Sequence, residues 1–380
     1  MTNKVLINAF GIGDSGGLTV LEKLLDELST NEFYYYYYIV CNKNKNINQL
    51  KKKYQKLANF TFEVVPSKGF LYRLYYENIV FRKLIKINHI DLIYNFSGSV
   101  QFFVKTPQVT KLHNLLFFSK KLDTIYKINS QLPLWVKQVF LKRLVFKFML
   151  NQSKCIEIQS NHVKNNLSNF INIRKKLFFV KSDIDVSDNV FHSPRKYNFS
   201  KKIKFLYIVG PHFEYPHKNL VDFTNSMLRL NEKGVDFEIN ITLTSNQLNN
   251  SKVWDLSLNS KTNFLGYISD QEKMTELFCD NTILISTSII ETLGLHVIEG
   301  IKNGIITIAP NESYARTVYG DNMILYDTLN SESLLNAIQV VLESDSPHSE
   351  LILSLQDRLK KSETAKHSNI LDIFKGVLNV

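Results

Sequence analysis

The sequence predicts an α/β protein built from two Rossmann-like, doubly wound domains. Three observations predict it. Strand and helix signals alternate along the chain. A polar, proline-containing stretch, SDIDVSDNVFHSPRKYNFSKK, divides the alternation into two series. The 380 residues are enough for two domains with cores of their own. Such alternation implies parallel sheets covered on both faces, with ligand expected at the carboxyl ends of the strands, in a cleft between the domains. The expected boundaries are 1–195, 196–355, and a C-terminal helix over 356–380 packing back on the first domain.

In the first series, residues 4–10 read as a strand that runs into a glycine-rich loop, 18–28 as a helix and 33–40 as a strand. The tyrosine run YYYYY suits that strand, because aromatics fit a pleated, half-buried surface. Strands are expected at 91–96 and 108–112, a helix at 134–150, and short strands at 155–159 and 177–180. The second series has strands at 204–209, 236–242, 263–265, 282–286 and 305–309. Its helices are 219–231 and 295–303, the latter ending at Gly304, a residue suited to a helix C-terminus. Residues 349–380 read as helical.

Charge divides the chain as sharply as pattern does. The net charge is +11, but residues 1–200 carry +17 and residues 201–380 carry −6. Such asymmetry points to a polyanionic or membrane partner for one half only. Cys41, Cys155 and Cys279 form no CxxC pair and suit a reducing compartment. The start of the chain does not read as a signal peptide, and no apolar run approaches the roughly 20 residues needed to span a bilayer.

Three stretches can carry chemistry. In FGIGDSGGLTVLEKLL a glycine-rich turn lies between a strand and a helix, a place where backbone N–H groups approach an anion. Gly11, Gly13 and Gly16 satisfy G-x-G-x-x-G. The acidic residue that would favour a dinucleotide, Glu32, precedes the second strand instead of ending it. In VGPHFEYPHKNL a loop brings Lys218 to a helix start, against the helix field, which suits a lysine with an anionic partner.

In ETLGLHVIEG, Glu291 falls in the loop after a parallel strand and Glu299 more than one turn inside the next helix. Eight residues of helix separate them by roughly 12 Å, whereas a retaining glycosidase needs carboxyls about 5–5.5 Å apart. A shared metal is disfavoured for the same reason. Two separate grips on one extended ligand fit the spacing, with the helix N-terminus between them open to a phosphate. Asp183-Ile-Asp185 is a D-x-D, but it lies in the expected linker. The nine histidines show no metal-ligand spacing.

These residues resemble glycosyltransferase family 4, retaining enzymes of the GT-B fold. The Glu-seven residues-Glu motif at 291–299, the block from Tyr267 to Pro310, the strand-loop-lysine element at 209–220, the glycine loop and His113 in LHN carry the likeness. It is strong from 206 to 327 and weak from 42 to 151. The resemblance implies that Glu299 holds nucleotide ribose hydroxyls and Glu291 the donor sugar. Lys218, with amides of Thr292, Leu293, Gly294 and Leu295, neutralises the leaving diphosphate. Gly16 and Gly17 border that diphosphate from the other domain, and His113 faces the transferred sugar. Tyr267 and the 288–292 stretch help select base and sugar. The implied donor is a UDP- or GDP-linked sugar, and metal is not required.

Two departures stand out. The family's usual Arg beside the residue equivalent to Gly210 is replaced by Pro211, leaving His212, His217 or Arg316 as substitutes. The usual proline before the serine of the Glu loop is absent from STSII.

Residues 132–150 and 68–87 combine lysines with apolar faces, which suits an anionic membrane surface or packing on the sheet. Together these features make a hexosyl- or deoxyhexosyltransferase the expectation. It would act on a lipid-linked glycan in O-antigen, capsule or lipopolysaccharide synthesis, cytoplasmic and peripheral on the inner membrane face. The alternatives are a nucleotide-sugar epimerase of the same fold and a basic nucleic-acid- or membrane-binding protein without catalysis. Nucleic acid is disfavoured because the basic residues spread over many helices and the second half is acidic.

Overall fold

The computed structural model describes residues 2–12, 15–30, 35–128, 131–183, 190–268, 270–344, 348–362 and 369–379. Gly13, Glu32 and Asp185 lie outside them. The chain divides into two compact units. One comprises 1–118, 133–183 and 366–380, the other 119–132 and 184–365.

Among the described residues the first unit holds seven strands: β1 Asn3–Ala9, β2 Tyr35–Asn42, β3 Phe60–Val65, β4 Leu92–Asn95, β5 Gln108–Lys111, β6 Cys155–Ile158 and β7 Leu177–Val180. Their order is β3-β2-β1-β4-β5-β6-β7, and every pairing is parallel. The strand order reverses between β1 and β4. Along β2, Tyr35 and Tyr37 are buried while Tyr36 and Tyr38 face the other side half-covered, as the period of two requires. The helix Ile370–Leu378 completes this core. Phe374 meets Tyr35 and Tyr94 edge to face at 5.8 and 5.4 Å, and Glu27 accepts the Ile370 N–H at 2.9 Å. The helix His348–Lys361 instead buries Ile352, Leu355 and Leu359 in the second unit. The boundary expected at 355/356 therefore falls inside a helix.

The second unit holds β8 Ile203–Tyr207, β9 Phe237–Ile241, β10 Thr262–Phe264, β11 Thr282–Ile285, β12 Ile306–Pro310 and β13 Ile324–Tyr326. Their order is β10-β9-β8-β11-β12-β13, again all parallel. The reversal falls between β8 and β11. Residues 119–132 belong to this unit although they lie within the first series of the sequence. There the helix Lys120–Ile128 packs against the turn Pro216–Lys218, and Lys121 pairs with Glu312. Among the described residues no helix is long and apolar enough to cross a membrane.

Two helical stretches of the first series contain π turns. Phe70–Tyr75 passes through Tyr76–Val80 into Phe81–Asn88, and Leu132–Trp135 passes through Val136–Phe140 into Leu141–Gln152. A π turn inserts one residue and so rotates the face that follows it.

Candidate functional site

In open parallel sheets the place where strand order reverses leaves a crevice at the strand ends. In the second unit that place is filled by the two stretches the sequence singles out. After β8 the chain passes through the turn Pro216–Lys218 to Asn219, which adopts a left-handed conformation (φ 51°), and enters the helix Leu220–Glu232. After β11 it runs through Thr287, Ser288 and Glu291 to the helix Leu295–Lys302.

Polar contacts stitch the two loops together. The Thr287 hydroxyl donates to the Lys218 carbonyl at 2.7 Å, and the Ile289 N–H to the His217 carbonyl at 2.8 Å. Tyr207, rising from β8, bonds Thr287 at 2.6 Å. The STSII stretch, lacking the proline of the resemblance, is thus pinned by its hydroxyls.

The loops bring two expected residues into direct contact. Lys218 Nζ donates to Glu291 Oε1 at 2.7 Å and to Ser288 Oγ at 3.2 Å, and Ser288 Oγ donates to the same carboxylate oxygen at 2.6 Å. The two charged side chains keep 26% and 22% of their surface exposed. Burial alone would raise the Glu291 carboxyl, but Lys218, with help from His296 and Ser288, outweighs it and holds the pKa at about 2. The sequence pattern implied separate partners for this lysine and this carboxylate, and did not show that they meet each other.

The helix start is fixed from behind. Tyr319 donates to the Leu293 carbonyl at 2.6 Å, and Tyr314 to the Ser288 carbonyl at 2.7 Å. Gly294 has φ 65°, and a Cβ there would collide with the Tyr319 hydroxyl, so glycine is required on both counts. No side chain caps the helix that follows; the Val297 and Ile298 N–H groups donate to the Gly294 carbonyl at 2.9 and 3.4 Å, which leaves the Leu295 and His296 N–H groups without an intrahelical partner. Glu299 lies in the second turn, where the nearly buried Lys302 donates to it at 3.2 Å.

His296, inside the motif, bonds Ser286 at 2.7 Å, and burial pushes its pKa down to about 4. Its place on the same helix as Glu299, one residue past Leu295, was the signal available for it. Tyr207, Tyr314 and Tyr319 carried no signal, because a tyrosine behind a loop reads as core.

The proposed substitutes for the missing Arg are differently placed. Arg316 is committed to Asn311 at 2.8 Å and Asp321 at 3.4 Å. His217 is buried, and burial first, then neighbouring Lys218, lowers its pKa to about 3. His212 is exposed and stacks on Tyr215 at 5.2 Å. Tyr267 is 68% exposed in the loop after β10, and no contact joins it to the Lys218–Glu291 pair among the described residues.

In the first unit Gly16 and Gly17 lie in the first turn of the helix Ser15–Ser29. His113 follows β5, with Nε2 2.8 Å from the Phe96 carbonyl. A carbonyl only accepts, so Nε2 carries the proton and Nδ1 keeps its lone pair. Burial, then the charge of Lys111, lowers the His113 pKa to about 4, so the ring is neutral near pH 7. Both carboxylate oxygens of Asp183 are engaged within the first unit. Lys111 and Gln159 each hold one of its carboxylate oxygens at 2.6 Å. Among the described residues no His, Cys, Asp and Glu group could hold a metal.

Two parallel-sheet Rossmann-like units of this kind define the GT-B fold. Residues 193–362 match the sequence model of the family described as glycosyl transferases group 1. No curated protein matches the chain by sequence. Solved structures do match it. A sucrose-phosphate synthase from Thermosynechococcus elongatus aligns with TM-score 0.70 and 13% identity, covering 99% of this chain and 98% of the other. Anabaena Alr3699/HepE in complex with UDP and glucose aligns with TM-score 0.65 and 13% identity over 100% of both chains. The lipopolysaccharide outer core galactosyltransferase WaaB aligns with TM-score 0.63 and 15% identity, over 99% of this chain and 100% of the other.

Proposed function

We infer that the chain is a retaining glycosyltransferase, moving one hexose or deoxyhexose from a nucleotide-diphosphate sugar to a glycan acceptor. The observation that carries this is the Lys218–Ser288–Glu291 cluster beside an uncapped helix start, at the switch point of the sheet whose residues match the family. A cation next to free N–H groups suits a leaving diphosphate, stabilising charge that develops as the bond breaks. A bound diphosphate competes with Glu291 for the Lys218 ammonium. That competition frees the carboxylate to accept from hydroxyls of the donor sugar.

Glu299 takes the ribose hydroxyls, and Thr292, Leu293, Gly294 and Leu295 frame the phosphates. His212 and Tyr267 are the exposed side chains left to contact the rest of the donor. In the first unit, Gly16 and Gly17 at the start of a helix suit a phosphate group. His113, neutral with Nδ1 unprotonated, accepts from a hydroxyl of the transferred sugar. The positive groups of the chain itself serve the role of a metal in this reading.

The acceptor is a lipid-linked glycan met at an anionic membrane surface, as in O-antigen, capsule or lipopolysaccharide synthesis, on the cytoplasmic side. The support is a set of exposed apolar and basic side chains on two helices of the first unit. Leu71, Tyr75 and Ile79 are exposed on one helix, and Leu141, Leu144 and Phe148 on another. Phe102 bridges toward the second, its ring 5.1 Å from Phe148 and its carbonyl held by Arg82 at 2.9 Å. Exposed Lys83, Lys86, Lys137 and Lys147 accompany these faces, which suits anionic lipid.

Thermal-shift titration with UDP, GDP, ADP and CMP tests the donor reading, with UDP expected to stabilise most. No shift with any nucleotide counts against an active transferase. Glu299→Ala is expected to weaken nucleotide binding. Glu291→Ala is expected to spare it and lose turnover. Equal loss of nucleotide affinity in both would mean the two roles are misassigned.

A further inference from the structure

The first unit has a switch point of its own, between β1 and β4, and a built polar cluster occupies it. Arg73 reaches it from the helix Phe70–Tyr75. Its Nε donates to Glu77 Oε1 at 3.1 Å, and its Nη2 donates to the hydroxyls of Ser99 at 2.7 Å and Ser97 at 3.2 Å. Glu77 lies in the π turn, 1% exposed, and also accepts from Asn8 of β1 at 2.9 Å. π turns recur at functional sites.

The guanidinium has five N–H donors. The pair on Nη1 finds no acceptor among the described residues. Nη1 rests on Gly11 of the glycine loop, so closely that any Cβ at that position would overlap it. The Arg73 side chain stays 23% exposed. Neutralising Glu77 needs only Nε, and a lysine could do as much. The serines instead fix the plane of the fork and leave its outer edge presented at the strand ends.

We propose that Arg73 is an oxyanion-binding residue: a phosphate or carboxylate oxygen of the molecule bound at the glycine-loop end of the first unit takes the Nη1 edge. Planar two-point recognition of such groups is what a guanidinium provides and an ammonium does not. If the chain is a transferase, its acceptor carries an anionic group here, but the site stands without that reading.

Lys218 is a second place where an anion could bind, so the test is made in a Lys218→Ala background. Inorganic phosphate is titrated and followed by broadening of its phosphorus resonance, and acetate is titrated in a parallel arm by broadening of its methyl resonance. The expected result is saturable binding of one or both anions in Lys218→Ala. Adding Arg73→Lys should weaken it about tenfold, the equivalent of one lost charge-assisted hydrogen bond. The double change Arg73→Met with Glu77→Gln removes the pair together, and is expected to abolish binding while the circular dichroism of the fold is retained. Which arm responds tells phosphate from carboxylate. No saturable binding in Lys218→Ala, or binding that survives Arg73→Lys unchanged, overturns the proposal whatever the nucleotide titrations give.

Discussion

Each unit carries an ion cluster near the carboxyl ends of its parallel strands, and the two clusters differ in access to water. In the first unit Lys111 ends β5 and faces Glu157 of β6 at 2.7 Å and Asp183 at 2.6 Å, with side chains 2%, 1% and 5% exposed. Tyr94 and Gln159 take up remaining carboxylate oxygens at 2.7 and 2.6 Å. In the second unit Lys218 and Glu291 meet at 2.7 Å with about a quarter of each side chain exposed. Residue types and distances are alike. The closed cluster has nothing left to offer a ligand and holds three strands in register. The open one keeps an ammonium that an incoming anion can reach.

The largest expected effect separates the two by stability. Lys111→Met leaves Glu157 and Asp183 as neighbouring carboxylates in the interior, and removing one partner of a buried pair costs roughly 3–5 kcal/mol. Lys218→Met leaves Glu291 partly solvated and should cost roughly 1–2 kcal/mol. Urea unfolding, with circular dichroism as the signal, compares them. Equal costs would mean that the second cluster is as structural as the first.

Acid titration sharpens the comparison next. Burial lowers the pKa of His113 and His162 in the first unit, and of His296 in the second, to about 4, and that of His217 to about 3. In the unfolded chain a histidine protonates near pH 6.5. The unfolded state therefore binds more protons between about pH 6.5 and 4, and stability falls as pH drops through that window. Each histidine contributes at most about 1.4 kcal/mol per pH unit. Because burial is the first cause at all four, His113→Gln and His217→Gln should flatten this slope alike, regardless of which cluster lies nearby.

Below that window the carboxylates take over. Glu291 is depressed, so its stabilisation is full above about pH 4.5 and is lost as pH falls toward about 2. The gap between wild type and Lys218→Met should close over the same range. A gap constant down to pH 2 would show that Lys218 does not act on Glu291 through charge.

The sequence carried the second unit's site further than the first's, for physical reasons. Loop residues that must meet a ligand are polar in an apolar setting, so Lys218, Glu291 and Glu299 stand out. Strands buried on both faces read as apolar runs, which is why β1, β8 and β11 were found within a residue or two. β13 spans three residues, and β3 has Glu63 inside it, engaged by the Tyr76 hydroxyl. Neither gives a clean period. The helix Lys45–Tyr54 buries Ile47, Leu50 and Tyr54 at helical spacing, but a lysine and asparagine background hides that stripe.

Partners distant in sequence were not legible at all. Nothing local pairs Arg73 with Ser97 and Ser99, or Lys111 with Glu157 and Asp183. Nor could pattern tell that Lys218 lies on Glu291, since that contact depends on β8 and β11 being neighbours across a crossover.

The smallest expected effects concern the charge difference between the halves, +17 against −6. If the first unit docks on anionic lipid, the contact adds many weak terms, about 1 kcal/mol per lysine near the surface. Lys83→Gln, Lys86→Gln, Lys137→Gln and Lys147→Gln should each lower partitioning onto phosphatidylglycerol vesicles roughly fivefold, and salt should mimic their combined effect. Phe103 is the apolar counterpart. It is 80% exposed, and its φ of 55° is a backbone conformation that a bulky side chain rarely adopts. Its loop is held to the neighbouring helix by Arg82 at the Phe102 carbonyl and by Asn78 at the Phe102 N–H. Phe103→Ser should weaken vesicle binding without changing its salt dependence, because it removes apolar contact and no charge. Flotation that is insensitive to salt and to all four lysines would remove the electrostatic reading of this half, and the contrast with the acidic half would lose its functional meaning.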